Sequence, residues 1–233
     1  MKKKPAAQIF KIRLGVFYTY MMTKLGFMKR DSAEFVKQGV DGDKIAEVED
    51  LLTEYSEIPT DDELIGAQMN ATAEKDSARD TLRASISEII DRAASKYGAN
   101  SGYYRKFGIY SLSEIDGGEL SSGARRVFRV GTSLISELAS EGLTQAMLDA
   151  VKENNLIFDR ALAKQEDAIS DREIAAEERI ERANYIYGLM SNYCEKGKRI
   201  WVSTNQAKYN DYVIYDTPSG KPEEPVAEKT SHA

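Results

Sequence analysis

Apolar residues recur along most of this chain at separations of three and four, the period of a helix with one buried face. From about Met21 to Gln38 the apolar positions are Leu25, Phe27, Met28, Phe35 and Val36. Gly39 then supplies a stop, because glycine enters the left-handed conformation at little cost. Asp41 or Asp43 caps a further helix that carries Ile45, Val48, Leu51, Leu52 and Tyr55 on one face, and Pro59 ends it. Thr60-Asp61-Asp62-Glu63 has the form of a capping box and opens a long helix to about Tyr97. Its stripe is Leu64, Ala67, Ala71, Ala78, Leu82, Ile86, Ile89, Ala93 and Tyr97, and the small residues of its first half imply a close approach between helices.

Glycines at 98, 102, 108, 117 and 118 interrupt the pattern, with Tyr103, Tyr104, Phe107 and Tyr110 interleaved. Helix resumes from about Glu119 to Ser140, Gly142 repeats the stop, and Thr144 repeats the cap. No Gly or Pro occurs between Leu143 and Tyr187, so a long helix or two abutting helices lie there, with a break expected between Leu162 and Ser170. Residues 9–20 alternate apolar and polar except at Phe17, which favours an extended segment running into a helix near Met21 over one continuous helix. Ile200-Trp201-Val202 and Tyr212-Val213-Ile214-Tyr215 also look extended, and the Pro- and Glu-rich segment 217–233 reads as a disordered tail.

The pattern repeats. Gln38-Gly39-Val40, Ile45, Val48 and Tyr55 return as Glu141-Gly142-Leu143, Leu148, Val151 and Phe158, always 103 residues later. Arg79, Ile86, Ile89 and Ile90 align with Arg179, Ile186, Leu189 and Met190 at a separation of 100. The expected fold is therefore all-α: one helical bundle domain over residues 1–216, built of two pseudo-repeats, 21–97 and 119–197, with short extended segments flanking it. Its core should include Val48, Leu52, Leu82, Ile86, Ile89, Phe128, Leu138, Val151, Ile186 and Met190.

Composition narrows the chemistry. The only histidine, His232, lies in the polar tail, which removes histidine-based triads, histidine-rich zinc sites and the histidine ligands of di-iron bundles. The only cysteine, Cys194, allows no intrachain disulfide and has no histidine to activate it as a nucleophile. Neither a phosphate loop nor a dinucleotide fingerprint is present, and no cofactor or metal is expected. Glu173, Glu177, Glu178 and Glu181 share a helix face, but Arg172, Arg179 and Arg182 lie among them, so ion pairing accounts for them more simply than a metal does.

Two surface features remain. Residues 1–30 hold eight Lys or Arg and no acid, in a chain whose net charge is −6. Lys2, Lys3, Lys4, Lys11 and Arg13 are the candidate anion contacts, with Lys24, Lys29 and Arg30 in the same segment. Docking of this segment on the chain's own acidic helices is the competing account and the preferred one, since a nucleic-acid face usually belongs to a basic domain. The candidate interaction surface is aromatic: Tyr103, Tyr104, Phe107 and Tyr110, and towards the C-terminus Trp201, Tyr209 and Tyr212. Aromatic residues that simply cover the ends of the bundle are the plainer reading of the same positions. The apolar stretch after the N-terminal lysines is broken by Lys11 and Arg13 with no small-x-small site, so a cytoplasmic location is favoured and no transmembrane segment is expected.

The stretch Ala71 to Tyr97, with Ala78-Arg79-Asp80-Thr81-Leu82 and the break from Gly98 to Ile109, resembles duplicated helical-hairpin modules of Bacteroidota and related bacteria. The likeness covers about residues 20–200 and departs from the pattern in having no β-sandwich after the helices. It implies a helical scaffold or interaction module and brings no catalytic residues. The expected function is a non-enzymatic structural or assembly module that binds a protein partner or itself. Nucleic-acid or anionic-surface binding through the N-terminal segment is the alternative, and nucleic acid is the less expected partner.

Overall fold

The structure, a computed structural model, describes residues 6–109 and 111–215. Among them it contains helices and no strand. The helices are α1 (Leu14–Arg30), α2 (Ser32–Lys37), α3 (Gly42–Ser56), α4 (Asp61–Tyr97), α5 (Gly102–Arg105), α6 (Gly117–Leu138), α7 (Gln145–Trp201) and α8 (Gln206–Asp211), with a 3-10 turn at Ala139–Glu141. Two compact units share these elements: residues 1–60 with 173–233, and residues 61–172. Each expected repeat is divided by that boundary, 21–97 after Thr60 and 119–197 after Arg172.

In the first unit the buried stripe of α1 is Phe17, Met21, Lys24, Leu25 and Met28. It packs with Ile45, Val48, Leu52 and Tyr55 of α3 and with Ala183, Ile186, Met190, Tyr193 and Cys194 of α7. The extended N-terminal segment is shorter than its alternation implied. Phe10 and Ile12 are buried along it, but the helix begins at Leu14 rather than near Met21. Phe17, the residue that spoils the alternation, opens the helical stripe, and tertiary burial of that stripe overrides the local period of two.

In the second unit Leu82, Ile86, Ile89, Ile90 and Ala93 of α4 pack with Leu120, Ala124, Val127, Leu134 and Leu138 of α6. Leu148, Val151 and Phe158 of α7 complete that core. Every residue expected in the core is buried except Phe128, which is half-buried.

Two expectations about α7 are overturned. It runs unbroken for 57 residues, with no interruption between Leu162 and Ser170. Pro59 forces the break between α3 and α4, and the later stretch contains no residue able to do the same. Ile200 and Trp201 are the last turn of α7, and Tyr212 to Tyr215 form the turn after α8. The flanking C-terminal segments are therefore not extended strands. Gly197 lies buried inside α7, and the ring of Tyr212 leaves no room for a Cβ there.

Ile86 and Ile186 are 0% and 1% exposed. Replacing either with Ala should cost about 2–5 kcal/mol through the cavity left behind, measured by urea unfolding. Losses below about 0.5 kcal/mol at both positions would mean that these stripes do not carry the cores.

Candidate functional site

The aromatic candidates separate into core and surface. Phe107 is 1% exposed and belongs to the core of the second unit, and Tyr212 is 0% exposed in the first, so neither offers its ring to a partner. Tyr103 is exposed and stacks on Tyr97 with centroids 4.7 Å apart, while Lys106 Nζ sits 4.8 Å from its ring. Tyr104 is half-buried on the same core. The hydroxyl of Tyr97 donates to Glu137 Oε2 at 2.7 Å, which holds its pKa up at about 12. Trp201 and Tyr209 are half-buried, and Lys208 Nζ lies 4.1 Å from the Trp201 ring. Tyr110, Lys2, Lys3 and Lys4 lie outside the described residues.

The basic candidates also divide. Lys11 and Arg13 are exposed, and the Lys11 amide donates to Tyr215 Oη at 2.9 Å. Lys24 is 7% exposed, so it is not a phosphate contact. Its ammonium donates to the carbonyls of Asp211 and Val213 at 2.7 and 2.8 Å. Lys29 pairs with Glu49 at 2.6 Å, and Arg30 with Asp31 and Asp211.

These contacts belong to a polar cluster that sequence reasoning missed. The side chain of Asp31 is 1% exposed and accepts from Arg30, from Lys208 at 2.7 Å and from Tyr212 Oη at 2.9 Å. Tyr212 Oη also lies 2.9 Å from the Phe27 carbonyl, and its ring is tilted against Phe35. Burial by itself would raise the Asp31 carboxyl. The hydrogen bonds from Arg30, Lys208 and Tyr212 outweigh it and hold the carboxyl well below the usual carboxylate range. Burial, and then the Asp31 contact, raises the Tyr212 phenol. The available signal was Lys24 itself, a cation within the Met21, Leu25 and Met28 stripe. The cluster fastens the segment after α7 to α1 and is structural in character.

The expected acid–base row on α7 is also arranged differently. Arg172 pairs with Asp61 at 2.9 Å, Arg182 pairs with Glu54 at 3.1 Å, and Arg179 donates to the Pro59 carbonyl. These arginines thus reach to α3, α4 and their connection, not only along their own helix. Among the described residues no group of three or more His, Cys, Asp or Glu side chains is placed to hold a metal ion. Burial pushes the Cys194 thiol up to about 11, which keeps it protonated at neutral pH. No helix among the described residues is long and apolar enough to cross a membrane.

An open, largely apolar groove lies in the second unit, along α4 and the first part of α7. A groove of about 750 Å³ is lined by Ala73, Ser77 and Thr81 of α4 and by Ile157, Ala161 and Lys164 of α7. A second, separate hollow of about 470 Å³ is lined by Ile65, Met69, Thr72 and Arg172 among others. Met69 is 67% and Ile157 48% exposed, so both present apolar surface to solvent.

Comparison with protein-family models, with curated proteins and with solved structures finds no match to this chain.

The Asp31 cluster makes a testable statement about stability. Asp31→Asn leaves Arg30 and Lys208 facing a neutral amide; with Arg30 42% exposed and screened by water, the cost should be about 1–3 kcal/mol, below that of a fully buried pair. The folded carboxyl titrates below its ordinary value of about 3.9, so the unfolded chain binds more protons in that window and stability rises with pH. The advantage of the native residue is full above about pH 5 and fades as the pH falls below about 4. Thermal melts of the two proteins should be furthest apart near neutrality and converge in acid. An unchanged gap at low pH would show that the carboxylate charge is not what stabilises this corner.

Proposed function

We propose that this chain is a non-enzymatic structural or assembly module, built from two copies of a helical unit, that binds a protein partner or itself. The observation that carries the reading is the pair of open hollows beside α4, one exposing Ile157 and the other Met69, with the small residue Ala73 at both. Small side chains let another helix approach closely, and exposed apolar side chains gain by being covered. The absence of a usable histidine, together with a buried and protonated cysteine, supports the non-enzymatic part of the reading.

Local geometry supports the duplication. Gly39 and Gly142 have φ of 72° and 81°. The amides of Gly39 and Val40 donate to Val36 and Phe35, and those of Gly142 and Leu143 donate to Ala139 and Leu138, at the same spacing of 103 residues. Asp41 accepts from the Lys44 amide at 3.1 Å, and Thr144 from the Met147 amide at 3.4 Å, again 103 residues on. Val40, Ile45, Val48 and Tyr55 are buried, as are Leu143, Leu148, Val151 and Phe158.

The alternative of nucleic-acid or anionic-surface binding draws less support, because Lys24, Lys29 and Arg30 are engaged with groups of the chain itself. Counterion release makes such binding fall steeply with salt. Sub-micromolar RNA or DNA binding at physiological salt, lost on neutralising Lys2, Lys3, Lys4, Lys11 and Arg13, would put it first.

The assembly reading is tested by placing a photo-cross-linking amino acid at position 69 or 157 of the full chain in cells. A discrete protein adduct is expected from these positions and not from Val36, which is also exposed. No protein adduct from either groove position would remove the reading.

A further inference from the structure

We infer that the groove between α6 and α7 binds a small amphiphilic anion, a molecule with an apolar, ring-sized body and one carboxylate, sulfonate or phosphate group. The inference is separate from the assembly reading, which rests on the hollows beside α4. Within the second unit α6 and this part of α7 run antiparallel. Leu148 packs where Gly131 leaves no room for a Cβ, Lys152 Nζ lies 5.8 Å from the Phe128 ring centroid, and Arg125 reaches Asp159 at 2.7 Å. Beyond the close approach at Gly131 a groove of about 470 Å³ opens between the two helices. Small-molecule sites commonly measure about 300–1,000 Å³. Its apolar surface comes from Phe128, which is half-buried, and Leu156, which is 50% exposed. Two such side chains can cover one ring-sized body. An amphipathic helix, with its anchors at i, i+3, i+4 and i+7, needs a longer apolar floor.

The charges select an anion. Arg125, Arg129 and Lys152 line the groove against one acid, Asp159. That acid is already satisfied, since its Oδ2 accepts from Arg125 and, at 3.3 Å, from Asn155 Nδ2. Arg125 is engaged by the same contact. Arg129 and Lys152 are exposed, and neither has an ion-pair partner among the described residues. The groove therefore holds two uncommitted cations beside apolar surface, in a chain whose net charge is −6. A ligand that sets its anionic group against these cations and its apolar body against Phe128 and Leu156 gains charge-assisted hydrogen bonds and apolar burial together. A neutral apolar molecule gains only the burial, and an inorganic anion only the charge contacts.

The test uses 8-anilinonaphthalene-1-sulfonate, which joins an aromatic body to a sulfonate, with binding to the full chain read by fluorescence and calorimetry. A saturable site is expected. N-phenyl-1-naphthylamine, the same body without the charge, should bind about tenfold more weakly. Arg129→Glu combined with Lys152→Glu should weaken the sulfonate by about tenfold or more, as should Leu156→Glu. Arg129→Lys combined with Lys152→Arg keeps both charges and should retain the binding. Arg160→Glu, the same charge change at the α4 hollow, should leave it unchanged. The substituted side chains are exposed, and urea midpoints matching that of the native chain show that the variants fold. Absence of a saturable site overturns the inference, as does equal binding of the neutral analogue or indifference to the groove variants. A photo-cross-linking amino acid at position 156 that captures a protein in cells overturns it in favour of a protein occupant.

Discussion

A helix with one apolar stripe can be shielded from water only by neighbours on both sides, and in both units α7 is one of those neighbours. It contributes Leu148, Val151 and Phe158 to one core and Ala183, Ile186 and Met190 to the other. That is possible only because no Gly or Pro interrupts the stretch from Leu143 to Tyr187. In the first expected copy Pro59 stands where the second copy has no breaker, and there the chain divides into α3 and α4. One proline, present once and absent once, separates two helices from a single helix of 57 residues.

The first unit closes by a different force. Its last described segment carries one fully buried large apolar group, the Tyr212 ring, which sits over Gly197 and against Phe27 and Phe35. Burying that phenol requires partners for its hydroxyl, and Asp31 and the Phe27 carbonyl supply them. Burying Asp31 in turn requires cations, and Arg30 and Lys208 meet that need. The carbonyls left by the turn after α8 are met by Lys24. Each member is tolerable only because the next is present. Such a cluster contributes register and specificity more than net stability, fixing where one segment lies along α1.

The helices were legible because their stripes, stops and caps agree with one another. Leu82, Ile86 and Ile89, or Val48 and Leu52, could hardly be read otherwise. What escaped was long-range. Whether an aromatic ring is core or surface depends on its neighbours, and so Phe107 and Tyr212 were read with exposed Tyr103. Lys24 was read as a surface charge because its residue type outweighed its position on the stripe. Arg172 and Arg182 were assigned to neighbours on their own helix, when α4 and α3 bring Asp61 and Glu54 within reach. The α4–α7 groove left only an indirect trace, the alanines that imply a close helix approach.

Those alanines explain why the groove exists. Along Asp61–Ala78 the buried residues of α4 are Ala71 and Ala78, which remove little apolar surface from water. The two helices are held together there mainly by polar contacts: Lys164 to Glu74, Gln165 to Thr72, and Arg172 to Asp61 and Gln68. Exposed or partly exposed pairs of this kind contribute little each. Further along α4, Leu82, Ile86 and Ile89 have α6 as well as α7 to pack against. The first part of the helix exposes Met69 and has no comparable third wall from the described residues. Covering Met69 there would remove apolar surface from water that the chain's own described helices leave exposed.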